Sequence, residues 1–263
     1  MSEREVYQSV KNASVAVLTR PANPTTQRPF RIVGSGFCVH KDGIILTCRH
    51  VFEAFLKIRD REHHESVLRR VGEGVKVPVN IVPFSVLFFG RVEGHRVYMH
   101  EAGVREATIV KGFDIAILKV GEHEGLPDGF PTLQIADYED VHEGMDVATC
   151  GYPFGDFLWD QTGSVNSSFT KGTLSSVCPI QGVPLEHLKM YQLDMLSAPG
   201  NSGGPVFCPT TGKVFGILSG GPVDPKGQPI LGLSVAGPVH AAFETDQIDL
   251  LLSHARSATQ QPG

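Results

Sequence analysis

The chain has 263 residues and a mass of 28.5 kDa, with 41% hydrophobic residues and a formal net charge of −5. That length and apolar content support a sizeable core, and the acidic balance argues against a general nucleic-acid surface or an anionic-membrane partner. With 29 glycines and 18 prolines, the chain suits a turn-rich β fold.

The start, Met1 to Gln8, has no basic stretch followed by an apolar run, and no segment approaches the ~18 apolar residues of a membrane span. The expectation is a cytoplasmic protein without a membrane partner. Five cysteines, an odd number without metal-type spacing, agree with that. Cys38 and Cys48 stand on the two arms of a predicted hairpin, close enough to pair, although free thiols are expected for that compartment.

In chain order, Gly34 to His40 reads as a strand, Lys41-Asp42-Gly43 as a hairpin turn, and Ile44 to Val51 as a second strand carrying His50. Phe52 to Pro78 reads as a charged helix or helical pair, expected to act as a regulatory or partner-binding flap. Its His63-His64-Glu65 is a solvated face rather than a metal site, because adjacent histidines point apart on a helix. Asp114 opens the apolar run Phe113 to Val120. A lone carboxylate at the mouth of a buried strand needs a partner to offset its desolvation, and His50 is the candidate.

Gly121 to Asp140, dense in turn formers, reads as a linker. Beyond it come strand patterns over Val206 to Cys208 and Val214 to Leu218, separated by the turn at Thr211-Gly212-Lys213. A C-terminal helix is predicted over Val239 to Ala255, with Phe243, Ile248, Leu251 and Leu252 as an inward stripe.

Between these elements lies Gly200-Asn201-Ser202-Gly203-Gly204-Pro205, a glycine-hinged turn that presents one serine. A serine hydroxyl is a weak nucleophile at neutral pH, so such chemistry needs a histidine to take its proton and a carboxylate to hold the histidine in one tautomer. The same residues satisfy G-x-S-x-G, the nucleophile elbow of α/β-hydrolases, with Asp224 and His240 downstream. That reading requires a helix after Ser202, whereas Pro205 and the segments following it read as strand, turn and strand.

The order His50, Asp114, Ser202, with GSGF at 34–37, TCRHV at 47–51, DIAILKV at 114–120 and GNSGGP at 200–205, resembles trypsin-fold serine proteases, the HtrA/Deg branch in particular. Gly151-Tyr152-Pro153-Phe154-Gly155 and Phe169 to Val177 are similar to that branch's GNPFG turn and the strand after it. The likeness runs over roughly residues 12 to 240. It implies an all-β fold of two six-stranded antiparallel β-barrels with a C-terminal helix and a helical insert after His50. Residues 1–130 would form the lobe carrying His50 and Asp114, and residues 131–263 the lobe carrying Ser202.

The resemblance also assigns roles. Ser202 would be the nucleophile, His50 the general base and Asp114 its orienting partner, with the backbone amides of Gly200 and Ser202 as an oxyanion hole. The substrate would be a protein or peptide, with no cofactor and no metal. A regulatory protein partner is a further expectation, while the assembly state does not carry over. In digestive relatives an aspartate six positions before the nucleophile selects basic side chains. Here that position is Leu196, and Leu196, Ser197, Leu218, Ser219 and Gly220 are expected to favour a small or medium apolar residue before the scissile bond.

Two departures stand out. His50 and Asp114 lie 64 residues apart, longer than in the resembling enzymes, and Asn201 replaces the aspartate that zymogens use to bind a newly cut amino terminus. The branch's PDZ module is not expected, since only the helical tail follows residue 240. The alternative function is a noncatalytic peptide-binding or adaptor domain on the same scaffold.

Overall fold

The computed structural model describes residues 1–19, 30–57, 77–78, 84–93, 96–162, 164–181, 189–228 and 230–258. The first element is a helix with no counterpart in the sequence reading, α1 (Glu3–Ala13). Ser2 caps it: its hydroxyl accepts from the Glu5 amide while the Glu5 carboxylate accepts from the Ser2 amide, a reciprocal capping box. Val6, Val10 and Ala13 recur on one face and are fully buried, each valine contributing roughly 1.5–3 kcal/mol.

Six strands then close the first barrel: β1 (Ser14–Thr19), β2 (Arg31–His40), β3 (Ile44–Thr47), β5 (Phe84–Glu93), β6 (Arg96–Ile109) and β7 (Ala116–Val120). Their antiparallel order is β6-β5-β1-β2-β3-β7, closed by β6 against β7, with the short β4 (Val77–Pro78) added outside β6. Every residue of β1 is buried, because both faces are covered. Val15 and Val17 point into the first barrel's core, while Ala16 and Leu18 pack with Tyr152 and Val165 of the second half.

The second barrel comprises β8 (Asp146–Gly151), β9 (Ser168–Pro179), β10 (Lys189–Asp194), β11 (Pro205–Phe207), β12 (Val214–Gly220) and β13 (Leu233–Pro238). The strands close in the order β10-β13-β12-β11-β8-β9, with β9 pairing back to β10. The expected fold of two six-stranded antiparallel barrels is therefore the observed one. A helix, α3 (Gly155–Thr162), leaves the end of β8.

Three local expectations are corrected. The strand after the Asp42-Gly43 turn stops at Thr47, and a helix, α2 (Arg49–Lys57), starts there, so His50 lies in its first turn. The C-terminal helix, α4, is Gln247–Ala258, preceded by a separate 3₁₀ turn at Val239–Ala242. Phe243 falls in the break between them and is 45% exposed, whereas Ile248 and Leu251 are buried as expected. The helical insert after His50 is described only through Lys57. Residues 58–76, with His63, His64 and Glu65, lie outside the described residues.

Candidate active site

His50 and Asp114 meet where α2 begins. The Asp114 carboxylate accepts the His50 backbone N–H at 3.0 Å through Oδ1 and faces His50 Nδ1 at 2.8 Å through Oδ2. One carboxylate thus satisfies an open amide of the helix's first turn and orients the ring on the same residue. In the neutral imidazole a carboxylate partner, which only accepts, holds the proton on Nδ1 and leaves Nε2 its lone pair. Burial pushes the Asp114 carboxyl up, but the hydrogen bond from His50, its charge and its amide outweigh this and hold the group below the usual range.

Ser202 sits between Asn201 and Gly203 on the turn entering β11 and is half-buried. Its hydroxyl donates to the Ser219 carbonyl at 3.1 Å, and among the described residues no hydrogen bond joins it to His50. The neighbouring amides are engaged: Asn201 N–H with Ala198 O at 3.0 Å, Gly203 N–H with Leu218 O at 2.7 Å, and Gly204 N–H with Asn201 O at 3.0 Å. Among the described residues, those of Gly200 and Ser202 have no protein acceptor. The Pro199 carbonyl accepts from Phe154 N–H at 2.8 Å, which turns it toward the 153–155 loop. Phe154 is the only non-glycine described with a positive φ, 51°.

Ser35, within the GSGF segment, ties this loop to the first barrel. Its N–H donates to Ser202 O at 2.8 Å, and its hydroxyl donates to Gly200 O at 2.6 Å and accepts from Tyr152 N–H at 2.9 Å. Thr47 Oγ1 donates in turn to Ser35 O at 2.6 Å. Gly203, at φ 90°, lies against both: a Cβ there would stand 2.1 Å from Ser35 O and 2.3 Å from Thr47 Oγ1. The sequence reading missed Ser35 and Thr47 as supports because short Gly-Ser-Gly and strand-end threonine patterns are common.

Of the residues expected around a specificity pocket, Ser219 and Gly220 adjoin Ser202. A Cβ on Gly220 would lie 3.7 Å from Ser202 Oγ, and one on Gly221 would lie 3.4 Å from Ser197 Oγ. Leu196 is 56% exposed. Leu218 is corrected: its side chain is fully buried in the second barrel's core and presents no surface to a bound side chain, because its place on β12 turns it inward.

All five cysteines are free. Cys38 and Cys48 diverge, with Cys38 Sγ donating to His40 O and Cys48 Sγ to Leu218 O at 3.2 Å. Burial drives the Cys48 thiol well above its ordinary value, Cys38 up to about 12 and Cys150 up to about 11. Cys178 and Cys208 are partly exposed. For Cys208, burial is outweighed by hydrogen bonds from Thr211 and Thr210, which lower the thiol. Because the thiolate is the nucleophile, iodoacetamide on the native protein is expected to add at most two groups, at Cys178 and Cys208, against five after denaturation. Peptide mass spectrometry showing early modification of Cys38, Cys48 or Cys150 would refute this burial pattern.

A family model described as a trypsin-like peptidase domain matches residues 34–217. Relatives named "Probable periplasmic serine endoprotease DegP-like" include one from Halomonas elongata, 29% identical over 83% of this chain and 35% of its own length. Another, from Pseudomonas fulva, is 27% identical over 87% of this chain and 37% of its own length. The chain therefore spans little more than a third of these curated relatives. Among solved structures, an HtrA-type protease AlgW with a decapeptide superposes with a TM-score of 0.60, covering 95% of this chain and 68% of that one at 17% identity. The HtrA/Deg resemblance is borne out by these similarities. The cytoplasmic expectation is overturned, because the relatives that the chain matches carry periplasmic names. The reading failed because an unremarkable first stretch and an odd cysteine count do not encode a compartment.

Proposed function

Because the chain belongs to the trypsin-like peptidase domain family, we propose that it is a serine endopeptidase acting on protein or peptide substrates, with Ser202 as nucleophile, His50 as general base and Asp114 as orienting group. The observation that carries this reading is the two-point attachment of His50 to Asp114, which leaves Nε2 free to take a proton. Ser202 Oγ adds to the peptide carbonyl while His50 Nε2 accepts the hydroxyl proton. His50 then returns that proton to the leaving amine, and water hydrolyses the acyl-enzyme by the same relay. The uncommitted amides of Gly200 and Ser202 would receive the oxyanion, where one such donor is typically worth about 10²–10³ in turnover.

The hydroxyl bond to Ser219 O means that attack requires Ser202 to rotate toward His50, an adjustment common between free and substrate-bound enzymes. The same bond favours the second reading, a noncatalytic peptide-binding domain. Reaction with a fluorophosphonate separates the two: one adduct at Ser202 is expected, and a folded chain that takes none with peptide present would support the noncatalytic reading.

For specificity, Leu196, Ser197, Ser219 and Gly220 supply no countercharge for a basic guest and support preference for a small or medium apolar side chain before the scissile bond. A peptide library should be cut predominantly after such residues. Predominant cleavage after Lys or Arg would overturn that preference.

A further inference from the structure

Behind the His50–Asp114 pair lies Cys48, fully buried at the end of β3, two residues before the histidine. Its sulfur, a ring nitrogen of His50 and a carboxylate oxygen of Asp114 all lie within 4.8 Å of one another. We propose that Cys48, His50 and Asp114 form a binding site for one divalent cation of the zinc class, and that its occupation switches the enzyme off.

The donor set selects the ion class. Sulfur, imidazole nitrogen and carboxylate oxygen together suit zinc-like cations, whereas calcium and magnesium take oxygen ligands. Distances also fit. Tetrahedral bonds of about 2.0–2.3 Å place donor atoms roughly 3.3–3.8 Å apart. The His50 Nδ1 to Asp114 Oδ2 separation of 2.8 Å would open by about half an ångström, and the separations to the sulfur, all within 4.8 Å, would close by at most about one, on the same zinc geometry.

Mobility and access are divided in a useful way. The His50 and Asp114 side chains are 47% and 39% exposed, so they can shift and admit an ion from solvent. Cys48 forms the fixed inner wall, and a water would complete the coordination. On binding, the cation takes the Nδ1 lone pair and the sulfur. The Nδ1 proton relocates to Nε2 and the thiol proton passes to water, a net release of one proton. With Nε2 protonated, His50 cannot accept the proton of Ser202. That consequence for turnover rests on the protease reading, whereas binding itself does not.

The test uses the Ser202→Ala chain, which keeps all three donors and cannot digest itself, titrated with Co²⁺ as a spectroscopic substitute. A sulfur-to-cobalt charge-transfer band saturating at one equivalent and displaced by Zn²⁺ is expected. It should persist with Cys178→Ser and Cys208→Ser added, and vanish with Cys48→Ala or, should that variant not fold, with Cys48→Ser. No band from the folded parent, or a band surviving loss of Cys48, overturns the site. Because these readouts involve no turnover, either failure leaves the protease reading standing. In the wild-type chain, Zn²⁺ should cut peptide hydrolysis at least tenfold, reversibly by chelator; cobalt binding without such inhibition would overturn the switch.

Discussion

Ser202→Ala is expected to lower peptide hydrolysis by about 10⁴–10⁶ while leaving the fold intact. The side chain's hydrogen bond to Ser219 O is its only one among the described residues, and the loop is held instead by backbone contacts and Ser35. Removing one half-exposed hydroxyl therefore changes the chemistry far more than the packing. His50→Ala should reduce the rate comparably, and the double variant should be little worse than either, because nucleophile and base act as a unit. Initial rates on an unstructured protein substrate, with melting temperatures in parallel, provide the check. Full activity in a folded Ser202→Ala chain would remove the nucleophile assignment. Multiplicative losses in the double variant would argue against a shared proton relay.

Gly203→Ala should have the second-largest effect, through a different route. At φ 90° an L side chain is strained by about 1–2 kcal/mol, and overpacking typically adds about 1–3 kcal/mol. Here the added carbon would meet a backbone carbonyl and a strand-end hydroxyl, neither of which can swing away as a flexible side-chain tip could. The turn must move, loosening the Gly203 N–H to Leu218 O bond and the Ser35 tie to Ser202 O. A loss of roughly 2–5 kcal/mol is expected from those two contributions, with turnover falling at least 100-fold as the nucleophile is displaced. Gly144→Ala is the matched control. That residue also has a positive φ, 85°, but no atom within 4 Å of its virtual Cβ, so only the backbone strain of about 1–2 kcal/mol applies. Urea midpoints and hydrolysis rates for the two variants decide the matter. Equal destabilisation with unaffected turnover would show that the contact with Ser35 and Thr47 does not matter.

The parts of the site legible in the sequence are those whose chemistry is local. Gly200 to Pro205 announces a hinged serine because only glycine tolerates the φ values of 100° and 90° found at positions 200 and 203. Asp42-Gly43 announces its hairpin, and Gly43 adopts φ 82° there. Other features were hidden because their cause lies elsewhere in the chain. Leu218 alternates inward or outward according to which face of β12 meets the core, and an apolar run in a closed barrel does not reveal that. The N-terminal helix carries a Ser2–Glu5 capping signal, yet its stability comes from burying Val6, Val10 and Ala13 against the barrels.

By itself, then, the amino-acid sequence carried the candidate residue types and their order along the chain, since turn chemistry and motif spacing act over a few neighbours, while the two-barrel class followed from the family resemblance that those motifs bear. Tertiary structure decided the rest. It set His50 on a helix whose open amide Asp114 satisfies from 64 residues away, turned the Ser202 hydroxyl toward Ser219, and placed Ser35 against the 200–203 loop and Cys48 beside His50 and Asp114. The first two contacts each join residues distant in sequence within one barrel's half, those of Ser35 with Gly200 and of Cys48 with Leu218 depend on how two closed barrels meet, and no local pattern encodes a juxtaposition created only when the chain has folded.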